Sequence, residues 1–173
     1  HTVELACNCE QPVNPIYVEW GCRVHHIPFS RSPLSKDNIG AYRELRKLLV
    51  NGRYDIVHTH TPNASAMVRL ACRNLRKEGT RVFYTAHGFH FFKGAPLKNW
   101  LFFYPVEKYL SKYTDCLITI NSEDYALAHE KRFRAGKIYQ VHGVGVELDR
   151  FKAVDDEEKA RLRAKYGYDN DTF

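Results

Sequence analysis

Four short peptides of this chain carry residues suited to bind or polarise a substrate: His-Thr-His-Thr-Pro at 58–62, Ala-His-Gly at 86–88, Asn-Ser-Glu-Asp at 121–124 and His-Gly-Val-Gly at 142–145. An imidazole can donate to a hydroxyl or steady a developing charge, and a glycine lets a ligand approach the backbone closely. His87, followed at once by Gly88, has the strongest claim to such a role. His58 and His60 flank Thr59, so on a strand they point to the same side, as a chelating pair would. A hydrolytic metal site would also need further histidines and a carboxylate at later strand ends. His87 and His142 could join it, but no carboxylate stands beside them. Polar contact with a substrate is therefore the preferred reading, with no metal and no resident cofactor expected. A metal-dependent hydrolase built on His58 and His60 is one alternative, and a non-catalytic saccharide-binding module is another.

Each of these peptides follows a strand-like run. Such runs recur at 2–6, 22–28, 54–58, 81–85, 115–120 and 138–142, with amphipathic helical stretches between most of them. That alternation predicts an α/β fold with a Rossmann-like, doubly wound parallel sheet and flanking helices. In an open parallel sheet the carboxyl ends of the strands line one edge, where the ligand crevice forms. His58, His60, Gly88, Lys93, Asn121, Ser122, Gly143 and Val144 are accordingly candidate substrate contacts, with His87 the catalytic candidate.

The helices are marked by their own signals. Ile39, Tyr42, Leu45, Leu48 and Leu49 recur at helical spacing and Asn51-Gly52 offers a stop. A second helix runs from about 63 to 77 with Arg69, Arg73 and Arg76 away from its apolar face; Arg69 and Arg73 could also present two cations to a phosphate. A third, from about 97 to 113, contains Pro105, which is expected to kink or divide it. Asn121 or Ser122 can cap a fourth, and a fifth runs from about 155 to Gly167.

Residues 89–105 crowd seven aromatic rings with Lys93 and Lys98 into one loop and helix start. Phe91, Phe92 and Trp100 are candidates for contact with a lipid or membrane surface, against a plain reading as core. With 173 residues, 44% of them hydrophobic, the chain can bury one ordinary core, and its formal charge of +6 suits an anionic partner without selecting one. Five cysteines in apolar surroundings, without paired C-x-x-C clusters, read as reduced thiols. A G-x-G-x-x-G phosphate loop and a local nucleophile triad are both absent, and aromatics in adjacent runs rather than interleaved with arginine argue against nucleic acid. No apolar run reaches the roughly 18 residues of a spanning helix.

The strings YDIVHTHTP, RVFYTAHGFHFFKGAPLKNW, YPVEKYLSKYTDCLITINSEDY and HGVGVELDRF, in this order and spacing, resemble the N-terminal, acceptor-side domain of glycosyltransferase family 4. The likeness is closest to bacterial enzymes of capsular, exopolysaccharide or O-antigen assembly. It implies one half of a GT-B architecture and a retaining transfer of sugar to a saccharide or lipid-linked saccharide acceptor. The donor would be a nucleotide-sugar, UDP-linked, acting as co-substrate. His87 corresponds to the family's histidine that hydrogen-bonds the transferred sugar. The resemblance places the protein in the cytoplasm, peripheral on the inner face of the bacterial plasma membrane. Residues 1–150 would form the Rossmann-like domain, truncated at its start. Residues 151–173 would form a linker helix toward a donor-binding domain not contained in this sequence. The family pattern begins with one more strand, so a gap in the sheet is expected, and the chain by itself is expected to be inactive.

Overall fold

A computed structural model describes residues 1–10, 12–30, 32–143 and 145–169. It divides into two compact units, His1–Gly143 and Val144–Phe173. Among the described residues the first unit contains six short strands, β1 (Glu4–Cys7), β2 (Arg23–His26), β3 (Ile56–Thr59), β4 (Arg81–Ala86), β5 (Cys116–Thr119) and β6 (Lys137–Gln140). All six overlap the runs read from sequence, because β-branched and aromatic residues fit a pleated, half-buried surface. Every pairing is parallel. The strands form two sheets, β1–β2 and β3–β4–β5–β6. Among the described residues no strand pairing joins the two sheets.

The helices are α1 (Ile16–Glu19), α2 (Asp37–Gly52), α3 (Pro62–Cys72), α4 (Leu97–Leu110), α5 (Ser122–Glu130) and α6 (Asp156–Tyr166). This is an α/β, Rossmann-like arrangement. Helix α2 stops at Gly52, as Asn51-Gly52 predicts, and Arg53 caps it with a left-handed φ of 46°. Its inward face is Ala41, Leu45 and Leu49, whereas Ile39 is exposed. Helix α4 is continuous through Pro105 and is not divided. Both Pro105 and Leu101, whose carbonyl the proline leaves without its usual donor, are on the exposed side, where water can take the bond.

Two apolar clusters hold this unit together. One joins Ile27, the inward residues of α2, Met67, Val68, Ala71 and Cys72 of α3, and Val82 of β4. The other joins Tyr84 and Ala86 of β4, Leu117 of β5, Ala128 of α5, Phe133 and the loop residues Phe89 and Phe91. Polar ties link the two sheets as well. Tyr54, just before β3, donates to Glu4 of β1 at 2.5 Å, and Asn63 of α3 donates to the Ser30 carbonyl beyond β2. The Tyr54 hydroxyl is pushed up to about 12 by burial and by that carboxylate.

Arg69 corrects the surface placement expected for it. Its side chain is 1% exposed and forms a bidentate pair with Glu107 of α4, at 2.8 and 3.1 Å. It also donates to the Ser65 carbonyl and hydroxyl and lies 4.5 Å from the centre of the Tyr84 ring. A phosphate-binding role is thereby removed, since its donors face protein. In the fold Arg69 is buried together with Met67, Val68, Ala71 and Cys72 of α3, and a carboxylate on another helix makes that position tenable.

In the second unit, the Asp155 side chain accepts from the Glu158 N–H and Gly167, with φ 72°, ends α6. No residue of α6 is buried. The division at Gly143 precedes the boundary near 150 read from the sequence.

Candidate functional site

The carboxyl ends of β3 and β4 lie side by side, since Thr59 pairs with Tyr84 in a parallel register. His60 is the residue that follows β3 and His87 the residue that follows β4, so both leave the sheet at the same edge. Nδ1 of His60 and Nε2 of His87 are 3.2 Å apart, so one ring donates and the other accepts. The centres of the His58 and His60 rings lie 4.5 Å apart and those of His60 and His87 5.4 Å apart, each pair tilted. His58 in turn meets the Thr85 hydroxyl through Nε2 at 2.8 Å. Three imidazoles brought from two strands thus form a continuous row along the sheet edge. All three remain exposed.

Burial holds the pKa of His58 below its usual value, and the neighbouring His60 adds to the effect. His60 is lowered in the same way, by burial and then by His87. At His58 and His60 the neighbouring ring thus opposes protonation, and both directions favour the neutral imidazole. A depressed folded-state value means that the unfolded chain binds the proton first. Stability present above the ordinary histidine value of 6.5 is then lost as pH falls below it. Melting temperatures followed from pH 7.5 to 5 are expected to decline in the parent and to decline less in His60→Gln. Parallel curves would show that this row does not carry the linkage.

Gly88 follows with φ 146°, a region that favours glycine, and a Cβ built on it meets nothing within 4 Å. The glycine therefore answers a backbone demand and leaves open space beside His87. The next residues turn inward. Phe89 is buried and stacks on Phe91 at 4.9 Å, with the planes 11° apart. Phe91 is 0% exposed and packs against Trp100 and Tyr104. This corrects the expected lipid contact at Phe91: its ring belongs to the core. Trp100 is half-buried in the same cluster, and Phe92 alone of the three is substantially exposed, at 43%. The outer face of α4 carries more open apolar surface, with Leu97 73%, Leu101 64% and Phe102 71% exposed.

The remaining candidates separate. Lys93 is exposed, and its backbone N–H donates to Glu123. Asn121 corrects the substrate-contact reading, because both ends of its amide are used within the helix start: Oδ1 accepts from the Asp124 N–H and Nδ2 donates to the Asp124 carboxylate. Ser122 is exposed as the first residue of α5. Gly143 is crowded rather than open, since a Cβ there would stand 2.7 Å from the Ile120 carbonyl oxygen. Its lack of a side chain lets the chain leaving β6 pass over the end of β5. Val144 lies outside the described residues. His142 is exposed beyond β6 and, among the described residues, shares no hydrogen bond or ring contact with the histidine row. Thr85 and Asp124 were not singled out as site residues from sequence. Asp124 carried a visible sign, its place as third residue of a capped helix, but its loop partner is 35 residues away.

The metal-site alternative fits poorly. Among the described residues no group of three or more His, Cys, Asp or Glu side chains is arranged to hold a metal ion. The nitrogens of His58 and His60 face Thr85 and His87 instead.

Comparison with known proteins supplies the context for this edge. A family model described as a glycosyl transferase 4-like domain matches residues 1–143. The chain is 53% identical over 147 residues to a protein of Bacillus subtilis (strain 168) that is provisionally named as the glycosyltransferase EpsD. It is 30% identical over 122 residues to an uncharacterised 41.2 kDa protein of the cps region of Klebsiella pneumoniae. It is 27% identical over 150 residues to the UDP-Gal:alpha-D-GlcNAc-diphosphoundecaprenol alpha-1,3-galactosyltransferase of Escherichia coli. These matches cover 85%, 65% and 86% of this chain, but only 39%, 33% and 38% of the relatives.

Proposed function

The chain belongs to the glycosyl transferase 4-like family, and from that premise we propose that it forms the acceptor-side half of a retaining glycosyltransferase of bacterial surface polysaccharide biosynthesis. The full-length protein moves a sugar from a nucleotide-sugar, UDP-linked, to a saccharide or lipid-linked saccharide acceptor. The observation that carries this reading is the row of His58, His60 and His87 at the carboxyl ends of β3 and β4, with open space at Gly88. Such a row suits hydroxyl-rich ligands, because neutral imidazoles both donate and accept. His87 hydrogen-bonds the transferred sugar near the reaction centre. Rate comes from positioning and from stabilising an oxocarbenium-like state, and the donor's β-phosphate takes the acceptor proton. No metal enters the step.

A donor screen on the full-length protein tests this directly, with UDP-sugars and a diphospho-lipid-linked N-acetylglucosamine acceptor. Product whose anomeric configuration matches the donor supports the reading. Saturable saccharide binding without transfer to any acceptor would favour the non-catalytic binding module.

Work at the inner face of the plasma membrane follows for a lipid-linked acceptor. Among the described residues no helix is long and apolar enough to cross a membrane. The surface that fits a lipid boundary is the outer face of α4, where exposed Leu97, Leu101 and Phe102 stand with exposed Lys98. Leu101→Ser with Phe102→Ser is expected to lower sedimentation with anionic liposomes several-fold while leaving the fold intact. Equal sedimentation would assign this face to a protein contact.

A further inference from the structure

The loop that carries His87 is held from another element. The N–H of Phe89, two residues after His87, donates to Oδ2 of Asp124 at 3.1 Å. The same oxygen accepts from Nδ2 of Asn121 at 2.8 Å, and the Asp124 N–H returns a bond to Asn121 Oδ1 at 2.7 Å. Asp124 is 3% exposed, so this arrangement is buried. In an ordinary capping box the acid at the third helical position reaches back to the backbone of the capping residue. Here the carboxylate reaches across to the β4 loop, and Asn121 fixes it in that direction. The amino end of α5 also favours a negative charge at this place.

The loop needs such an anchor. Gly88, between His87 and Phe89, is freer about its backbone than any other residue type, so the chain stiffness alone does not set the His87 ring. Four residues further on, Lys93 N–H donates to Glu123 at 3.2 Å, so neighbouring acids of α5 grip the loop at two points. Only the Asp124 contact is buried and adjacent to the glycine. We infer that Asp124, oriented by Asn121, is the positioning residue that sets His87 against His60, making the first turn of α5 a clamp on the reaction-centre loop. Its catalytic consequence rests on the glycosyl-transfer reading above, whereas the clamp itself does not.

The test uses the full-length protein with selectively 15N-labelled histidine and three variants. In Asp124→Ala the imidazole signals of His60 and His87 are expected to lose the shifts of a mutually hydrogen-bonded pair. Asp124→Asn keeps an oxygen that can accept both bonds and is expected to restore the parent signals. With UDP-galactose and a diphospho-lipid-linked N-acetylglucosamine as probe substrates, kcat is expected to fall about ten-fold in Asp124→Ala. KM for the donor stays within about two-fold, as for a group that places another rather than binding substrate. Should Asp124→Ala fail to fold, Asn121→Ser keeps a capping oxygen but lacks the amide donor, and the same ring signals are expected to shift. Parent-like signals in a folded Asp124→Ala, or in Asn121→Ser where the alanine variant does not fold, overturn the clamp. If the parent transfers no sugar, the reaction assignment fails, and the imidazole signals still decide the clamp.

Discussion

Replacing His87 with alanine in the full-length protein is expected to lower sugar transfer at least ten-fold with little loss of fold. The ring is exposed, and its contacts are a hydrogen bond and a tilted stacking with His60, not the apolar core. Removing it therefore opens no cavity. A hydrogen bond aimed at charge that develops in the transition state is typically worth ~3 kcal/mol, and about 1.4 kcal/mol already corresponds to a factor of ten. Donor KM is expected to move less than kcat, because the contact strengthens along the reaction. His60→Ala is expected to have the smaller effect of the two, through loss of the ring that orients His87. Steady-state rates with the donor found by screening, beside thermal melts of both variants, provide the check. Unchanged turnover in a folded His87→Ala would take this residue out of the mechanism.

The largest expected effect on stability lies beneath the site. Arg69→Met or Glu107→Leu, made singly, is expected to cost about 3–5 kcal/mol, because each leaves an uncompensated charge inside the protein. Arg69 also gives up bonds to the Ser65 carbonyl and hydroxyl and its contact with Tyr84, so the penalty includes orphaned polar groups. Against a typical total of about 5–15 kcal/mol, either change removes a substantial part of the stability. The double variant is expected to recover most of that loss, since an apolar pair of similar volume replaces the ion pair without burying a lone charge. Urea unfolding of the four proteins measures the coupling. Simple additivity would mean that the two side chains act independently. The pair joins α3, which follows the His58–His60 strand, to α4, which follows the Gly88 loop. Partial unfolding at this joint is thus expected to disturb the histidine row as well.

These two residues mark different depths of legibility. His87 could be picked out on type and position, as an imidazole before a glycine at the end of an apolar run, and the family strings added its expected role. Arg69 could not, because a helical pattern shows which face a residue occupies but not which carboxylate, 38 positions on, meets it there. The same division runs through the aromatic loop. Phe91 and Phe92 are neighbours of one type, without a periodic context, yet one ring is wholly buried and the other open. Their difference follows from packing against Trp100, Tyr104 and Phe133, which reach Phe91 from other parts of the chain.

Local chemistry was enough for the six strands, for a cap at Asn121 or Ser122, and for the end at Gly167, because each depends on groups within a few residues. The parallel α/β class followed from their alternation, and with it the edge on which His58, His60 and His87 meet. Only the tertiary structure decided how that edge is held. It turned Asp124 toward Phe89 and crowded Gly143 against Ile120. The physical reason is that these are unions of groups far apart in sequence. Their geometry is set by how helices and strands pack, and no short stretch of chain contains both partners.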